Sequence, residues 1–318
     1  MRAFVFPGQG SQFIGMGKDL AEAFPEAKLT FEEVDNALDQ DLSGLMFSGE
    51  EAELNLTENT QPALMAVSMA VVNILKSQCG FSFHEACSFV AGHSLGEYSA
   101  LTAAGALEVA DTARLLKIRG KAMQKAVPVG VGAMAAIIGM DLPDVQDIAQ
   151  KAQSNSAQEE LVVQAANDNS VGQVVVSGHK GAVELAVNLA TEAGAKKAVI
   201  LPVSAPFHCS LMAPAAQEMA SALADTNIHP PLVPVVANVT AQPTSDPSEI
   251  RSLLVDQITG MVRWRESVMA MKEEGVTEMV EIGAGKVLSG LIRRIDREIA
   301  TSSIGTPDQI EDLIGKMS

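Results

Sequence analysis

Ser94 is the residue with the most recognisable chemical setting. It lies at the centre of the motif G-H-S-L-G at residues 92–96, which has the spacing of a nucleophile elbow between a strand and a helix. Glycines flank such a serine because a Cβ at those positions would collide with the neighbouring chain. The motif predicts a serine nucleophile, and it places the N–H of Leu95 where it can donate to a developing oxyanion.

His208 is the best candidate for the base that a serine nucleophile requires. It follows an apolar segment at 199–203, which we interpret as a strand of the larger domain. It also lies after Ser94 in the chain, in the order found in α/β-hydrolases. His93 is adjacent to Ser94, where neighbouring side chains diverge, so we expect it to shape the site instead. Cys209 has no second cysteine signature, and a Cys–His pair is rejected.

Arg119 occupies an unusual place for a charged residue. The segment 111–127 has helical periodicity, with Arg114, Lys117 and Lys121 on a polar stripe. Arg119 is two residues from both lysines and therefore about 200° around the helix, on the apolar side. A buried guanidinium needs a carboxylate partner. From these residues alone, an ion pair with an Asp or Glu and a bound substrate carboxylate remain equal alternatives.

The elements around these residues indicate an α/β protein. An apolar strand at 2–6 runs into a G-Q-G turn at 8–10, and a second strand at 88–92 leads directly to Ser94. Helical patterns separate them from further Val/Ile-rich strands at 233–238 and 277–282. This alternation predicts a parallel sheet covered by helices, with the ligand at the strand ends.

A second pattern lies between residues 133 and 202. It predicts strand, helix, two strands, helix and strand, in the order βαββαβ, at 133–138, 145–152, 161–165, 173–177, 182–193 and 197–202. This order is typical of a ferredoxin-like domain. We therefore predict a large domain formed by residues 1–130 and 203–318, interrupted by a small domain at residues 131–202.

Composition narrows the class of protein. The chain has 318 residues, 47% of them hydrophobic, which is typical of a globular protein with a large core. Its net charge of −17 argues against binding to nucleic acid or to an anionic membrane. The three cysteines form no C-x-x-C pair, so neither a disulfide framework nor a metal site is indicated. We expect a cytoplasmic protein without a signal peptide or membrane span.

Taken together, the motifs resemble the malonyl-CoA:acyl-carrier-protein transacylase family, whose relatives are the acyltransferase domains of polyketide and fatty-acid synthases. The resemblance extends over essentially the whole chain. It is carried by F-P-G-Q-G-S-Q at 6–12, T-Q-P-A at 60–63, G-H-S-L-G-E at 92–97, R-G at 119–120, G-A-M at 132–134, P-F-H at 206–208, E-I-G at 281–283 and G-K-V-L at 285–288. The family combines an α/β-hydrolase-like large domain with a ferredoxin-like small one.

The resemblance also implies roles for individual residues. Ser94 would carry the acyl group, with His208 as base and Arg119 on the malonyl carboxylate. The N–H groups of Gln9 and Leu95 would form the oxyanion hole. In this family a backbone carbonyl, here that of Gln257, orients the histidine in place of a triad carboxylate.

Two further residues complete the implied site. His93 and Phe207 would line the substrate pocket, and the P-F-H loop resembles the malonyl type.

The implied reaction is a ping-pong transfer of malonyl from malonyl-CoA to the phosphopantetheine thiol of acyl carrier protein. No bound cofactor or metal is expected, and a monomer is expected. A serine thioesterase or esterase and a non-catalytic scaffold are the alternatives. Because carrier proteins are acidic like this chain, docking would need a basic cluster drawn from Lys180, Lys196, Lys197, Lys286, Arg293, Arg294 and Arg297.

Overall fold

The computed structural model describes residues 1–154, 161–203 and 205–317. The strands are β1 (Arg2–Phe6), β2 (Phe89–Gly92), β3 (Gly132–Ile138), β4 (Val163–Ser170), β5 (Gln173–His179), β6 (Lys197–Ile200), β7 (Val235–Val236), β8 (Pro243–Thr244), β9 (Glu278–Ile282) and β10 (Ala300–Ile304). The helices of the first half are α1 (Lys18–Ala23), α2 (Pro25–Leu38), α3 (Leu42–Ser48), α4 (Glu51–Leu54), α5 (Thr57–Cys79), α6 (Phe83–Ala86), α7 (Gly96–Ala103) and α8 (Val109–Ala126). Those of the second half are α9 (Leu142–Ser154), α10 (Lys180–Glu192), α11 (Ala213–Ala224), α12 (Pro247–Thr259), α13 (Trp264–Glu273), α14 (Val287–Ile295) and α15 (Pro307–Met317), with a 3₁₀ turn at Ser210–Met212.

The larger sheet has the order β10-β9-β1-β2-β7-β8 and is parallel except for the short β8. Side chains of a strand alternate between the two faces of its sheet. Accordingly, Phe4 and Phe6 of β1 join the main core with α5, whereas Ala3 and Val5 join a second core with α13 and α14. The predicted parallel α/β sheet is confirmed, and both of its faces are covered by helices.

Helix α5 is the central helix of the main core. By length and composition it could cross a membrane, but 72% of its most apolar 18-residue window is buried within the protein. Its side chains pack against α2, α7 and α8. Burial inside the fold explains its apolar character without a membrane.

The smaller sheet has the order β4-β5-β3-β6, and all of its pairings are antiparallel. With α9 and α10 packed against each other and on the sheet, these elements form the predicted βαββαβ arrangement. The sheet begins at Gly132 and ends at Ile200, inside the predicted small domain. The boundaries at residues 130/131 and 202/203 themselves stay a prediction.

Strand β4 is longer than its sequence pattern indicated. The predicted strand at 161–165 begins later, at Val163, and continues through the polar residues Asn167 and Asp168 to Ser170. These side chains are buried because the strand passes against the large domain. There the Asp168 N–H donates to the Val262 carbonyl at 2.9 Å, and Asp168 pairs with Arg265. A polar strand buried by another domain has no apolar alternation by which to be recognised.

Two other strand predictions are wrong in detail. The segment 199–203 is not a strand of the large sheet, because β6 ends at Ile200 and pairs with β3 in the small sheet. His208 therefore lies on a connection that leaves the small sheet. The predicted strand at 233–238 is reduced to Val235–Val236, consistent with Pro234, which has no N–H for a ladder.

Candidate active site

Ser94 lies in the tight turn between β2 and α7, with a φ of 54°. Its N–H donates to Asn238 Oδ1 at 2.7 Å, from the loop after β7. A Cβ on Gly92 would lie 1.9 Å from the backbone of Gly96, and one on Gly96 would lie 2.2 Å from the Phe6 carbonyl oxygen. Both flanking positions therefore exclude a side chain, as the motif predicts.

His208 lies beside the serine, on the connection that follows β6. Its Nε2 lies 2.8 Å from Ser94 Oγ, and its Nδ1 lies 2.8 Å from the backbone oxygen of Gln257. A carbonyl oxygen only accepts, so Nδ1 carries the proton and Nε2 is left to accept one. Burial, reinforced by Arg119, lowers the pKa of His208 to about 3. The imidazole is thus neutral near pH 7 and its free nitrogen faces the hydroxyl.

Arg119 is 1% exposed and lies beside the same hydroxyl. Its Nη1 donates to Gln61 Oε1 at 2.8 Å, and its Nη2 donates to Gln257 Oε1 at 2.8 Å and to Ser94 Oγ at 3.1 Å. The guanidinium also faces the Tyr98 ring, 5.7 Å from its centroid.

The contacts of Arg119 bear on the two alternatives for its partner. Within the described residues no carboxylate pairs with Arg119 inside 4.0 Å, and its buried Nε has no hydrogen-bond partner there. A direct core ion pair is therefore not what holds it. The neighbouring Lys117, predicted to be solvated, is instead half-buried and donates to Gln40 and Asn59.

Gln9 and Leu95 are the two residues whose backbone N–H groups are predicted to form an oxyanion hole. Both line the same cavity as Ser94, and Leu95 occupies the N-cap position of α7. Among the described residues, neither backbone N–H has a hydrogen-bond acceptor. Unpaired N–H donors beside the serine are what an oxyanion hole requires, and that role stays a prediction.

The cavity above Ser94 lies between the two domains and has a volume of about 160 Å³. On the side of the small sheet its wall combines the apolar Met134 and Val175 with the amides of Asn167 and Asn169. The lining residues are Gln9, Gln61, His93, Ser94, Leu95, Arg119, Met123, Met134, Asn167, Asn169, Val175, Leu201, Val203, Phe207 and His208. A small acyl group would therefore have one charged contact, at Arg119, in otherwise polar and apolar surroundings.

His93 and Phe207 both line this cavity. His93 Nε2 lies 2.8 Å from Asn169 Oδ1 of β4, and the His93 ring tilts against Trp264. Burial lowers the pKa of His93, so this imidazole is also neutral. His93 thereby connects the serine turn to the small sheet, whereas Phe207 is 8% exposed and contributes apolar surface.

Several residues of the site were not identified as such from the sequence. Gln61 binds Arg119, Asn238 binds the Ser94 N–H, and Asn169 binds His93. Buried Glu97 accepts from the Gln257 side chain at 2.9 Å. Gln61 and Glu97 stand in motifs that carry the family resemblance, which was the available signal, whereas Asn169 and Asn238 have none.

Fold and site together define an α/β protein in which a serine hydroxyl faces a neutral histidine that is oriented by a backbone carbonyl. Residues 3–315 match the family model of the acyl transferase domain. The chain belongs to this acyl transferase family, in the group of the malonyl-CoA:acyl-carrier-protein transacylases.

Named relatives cover nearly the whole chain. The malonyl CoA-acyl carrier protein transacylase of Bacillus subtilis is 47% identical over 309 residues, which cover 97% of this chain and 95% of that protein. The crystal structure of acyl-carrier-protein-S-malonyltransferase from Bartonella henselae has a TM-score of 0.95 and 53% identity, and covers 99% of both chains. A malonyl-transacylase solved in complex with its type II polyketide acyl-carrier protein has a TM-score of 0.93 and 42% identity, over 99% of each chain.

Proposed function

We propose that this protein transfers malonyl from malonyl-CoA to the phosphopantetheine thiol of acyl carrier protein, for fatty-acid or polyketide synthesis, through an ester on Ser94. One observation carries the proposal. Ser94 Oγ lies between an unprotonated nitrogen of His208 at 2.8 Å and the unpaired charge of Arg119 at 3.1 Å. A base on one side and a carboxylate-binding group on the other suit a diacid acyl group. The similarity to proteins named malonyl transacylases supports the same substrate.

The first half-reaction forms the acyl-enzyme. His208 Nε2 takes the Ser94 proton while Oγ attacks the thioester carbon. The N–H groups of Gln9 and Leu95 hold the oxyanion that forms on the carbonyl oxygen. The carbon–sulfur bond then breaks, and the sulfur leaves with the proton from His208 as free coenzyme A. The Gln257 carbonyl stabilises the imidazolium formed in between.

The second half-reaction is the same chemistry in reverse. The phosphopantetheine thiol gives its proton to His208 and attacks the carbonyl carbon of the Ser94 ester. Collapse of the oxyanion breaks the bond to Oγ, which takes the proton back from His208. One thioester replaces another, so the site contributes position and electrostatic stabilisation and needs no energy source.

Arg119 is proposed to select the acyl group. The malonyl carboxylate would replace the neutral contacts of the guanidinium with a bidentate ion pair. An acetyl group would leave that buried charge without a carboxylate, at a cost of ~3 kcal/mol or more, or roughly 100-fold in rate. His93 and Phe207 would bound the space beside the malonyl chain.

We expect a cytoplasmic monomer that needs no bound cofactor and binds neither membrane nor nucleic acid. Among the described residues no group of three or more His, Cys, Asp or Glu could hold a metal ion. The acyl carrier protein would dock on the exposed residues Lys286, Arg293, Arg294 and Arg297, named here the α14 basic patch.

Replacement of Arg119 by alanine tests the proposal. We expect kcat/KM for malonyl-CoA to fall about 100-fold or more, because the carboxylate loses its partner. The value for acetyl-CoA should change much less or rise, since no buried charge is left unpaired. Initial rates with malonyl-, methylmalonyl- and acetyl-CoA, measured side by side, provide the check. Equal losses for all three thioesters would contradict the assigned role.

A further inference from the structure

The side chain of Gln257 has contacts that its carbonyl role does not require. Its Oε1 accepts from Arg119 Nη2 at 2.8 Å, while its Nε2 donates to the Ser94 carbonyl oxygen at 3.0 Å and to Glu97 Oε2 at 2.9 Å. The amide therefore lies between a cation and a carboxyl group, and its two ends are not interchangeable. Oxygen must face the guanidinium, because nitrogen there would set donor against donor.

Glu97 is buried at 2% exposure, at the start of helix α7. Its Oε2 also accepts from the Asn238 N–H at 2.9 Å. Asn238 in turn binds the Ser94 N–H and donates to the Gly92 carbonyl at 2.7 Å. The carboxyl group thus supports both the amide of Gln257 and the loop that holds the serine turn. It touches neither the cavity nor, within 4.0 Å, the guanidinium of Arg119.

Resting on the proposed function, we propose that Glu97 is a positioning residue for malonyl selection. By accepting from Gln257 Nε2 it fixes the direction of that amide, which keeps an acceptor oxygen on Arg119 and aims the guanidinium at the acyl carboxylate. Glu97 acts through Gln257 and needs no contact with the substrate.

Loss of the carboxyl group would release the amide. Gln257 Nε2 has two hydrogens, and besides Glu97 its acceptors are the Ser94 carbonyl and Asn238 Oδ1, the latter at 3.5 Å. Without Glu97 one hydrogen has no acceptor at normal distance, and the buried N–H of Asn238 also loses its partner. Burying unsatisfied donors is costly, so the amide is no longer held in this one orientation. An orientation that turned Nε2 towards Arg119 would set donor against donor.

The indirect contact also explains why Arg119 remains available to a substrate. A carboxylate bonded directly to the guanidinium would compete with the malonyl group. With an amide in between, the negative end of a neutral dipole faces Arg119, and a stronger acceptor can displace it.

The test uses the ratio of kcat/KM for malonyl-CoA to kcat/KM for acetyl-CoA, which does not depend on the amount of folded enzyme. Glu97→Leu removes the acceptor and should lower this ratio at least tenfold. Glu97→Gln keeps an acceptor oxygen and should hold the ratio within about threefold of the unmodified protein. Glu281→Leu is the matched control. Glu281 is equally buried and accepts from Leu288 and Ser289, at the start of α14, so its loss should lower stability but leave the ratio unchanged.

Other results would overturn the inference. These are an unchanged ratio in Glu97→Leu, an equal fall in Glu97→Gln, or an equal fall in Glu281→Leu. If Glu97→Leu does not fold, Gln257→Leu removes the amide and keeps the carbonyl to His208, and it must lower the ratio in the same way. Arg119→Ala is the reference variant. If Arg119→Ala lowers the ratio and Glu97→Leu does not, this inference alone is overturned. A ratio unchanged in Arg119→Ala would overturn the proposed function as well.

Discussion

Ser94 and His208 both have left-handed backbone angles, with φ of 54° and 58°. Such angles are costly for residues with a Cβ and persist only where the surrounding structure holds them. Here the holding contacts are hydrogen bonds, from the Ser94 N–H to Asn238 and between His208 Nδ1 and the Gln257 carbonyl. At the residue scale, the proposed dyad depends on these supports as much as on its own side chains.

The protonation of His208 gives the first prediction. Burial disfavours the imidazolium and lowers the pKa to about 3, so Nε2 stays an unprotonated base as pH falls through 6. We expect the rate constant for acylation by malonyl-CoA to be nearly constant from pH 7 to pH 5. For a histidine with an ordinary pKa near 6.5, the fraction in the neutral form would fall about thirtyfold by pH 5.

Stopped-flow measurement of coenzyme A release in the first turnover gives this rate constant directly. Burial raises the pKa of Glu97 to about 7, so its carboxyl gains a proton in the same range. The profile should therefore be repeated in Glu97→Gln, where that titration is absent. A thirtyfold fall by pH 5 in both proteins would contradict the account of His208.

Residue types and spacing identified only part of the site. Ser94 has a local motif and Arg119 lies on the wrong face of its helix for a solvated charge, so both could be found from the sequence. The family resemblance implies the role of the Gln257 backbone carbonyl, whereas nothing in the sequence indicates the contacts of its side chain. Asn238 and Asn169 are far from Ser94 in the chain, and only the folded structure brings their amides to the turn.

At the scale of elements, the serine turn depends on close packing of β1, β2 and α7. A Cβ added at Gly92 would overlap the backbone of Gly96, and a Cβ added at Gly96 would overlap the Phe6 carbonyl at the end of β1. Neither glycine has a positive φ, so glycine is required here because there is no room for a Cβ, and not because of the backbone conformation. Helix α7 can therefore begin directly above β1, with its N-terminus next to Ser94.

Gly92→Ala tests this packing. The new Cβ would overlap backbone atoms that cannot move as a side-chain end could, so we expect a loss of about 3 kcal/mol or more in the free energy of unfolding. The acylation rate of Ser94 should fall as well. Urea denaturation and the burst of coenzyme A give the two measurements.

Gly290→Ala is the control for this substitution. Gly290 lies within α14, and a Cβ there would meet nothing within 4 Å. Alanine at this position should stabilise the protein by up to about 1 kcal/mol, through helix propensity. Equal stability of the two variants would contradict the packing account.

Strands with a local apolar run were predicted well, and the polar strand end buried by the other domain was not. The four strands of the small sheet follow the predicted order, because β3 and β5 contain short apolar runs, A-M-A-A-I-I and V-V-V, that stand out from their surroundings. The polar end of β4 and the end of β6 lie at the junction with the large domain. Their conformation depends on partners such as Val262, which no local pattern contains.

At the scale of the whole molecule, the net charge of −17 sets a condition on any acidic partner. The α14 basic patch meets this condition locally. Arg293 donates to Thr301 and Arg294 to Gln173, and no described carboxylate pairs with the patch. Outside this patch, Lys180 Nζ lies 4.0 Å from Glu184 Oε1, so the charge of that lysine is partly compensated. An uncompensated patch on an acidic surface steers an acidic protein to one place.

Charge reversal of Lys286, Arg293 and Arg294 to glutamate tests the docking surface. We expect KM for acyl carrier protein to rise at least tenfold, because attraction becomes repulsion. The kcat/KM for acylation by malonyl-CoA should stay within about twofold, since these side chains do not line the cavity. Reversal of Lys18, Lys28 and Lys151, which are also exposed, provides the matched change in net charge. An unchanged KM for the carrier protein would exclude the patch.

The central claim is that malonyl passes through Ser94 to another thiol rather than to water. Mass spectrometry of the intact protein after brief mixing with malonyl-CoA tests it most directly. We predict a malonyl adduct of about 86 Da that maps to Ser94, is absent from Ser94→Ala, persists without acceptor and moves to acyl carrier protein when the latter is added. Rapid release of free malonate in the absence of carrier protein, or full turnover by Ser94→Ala, would contradict the claim.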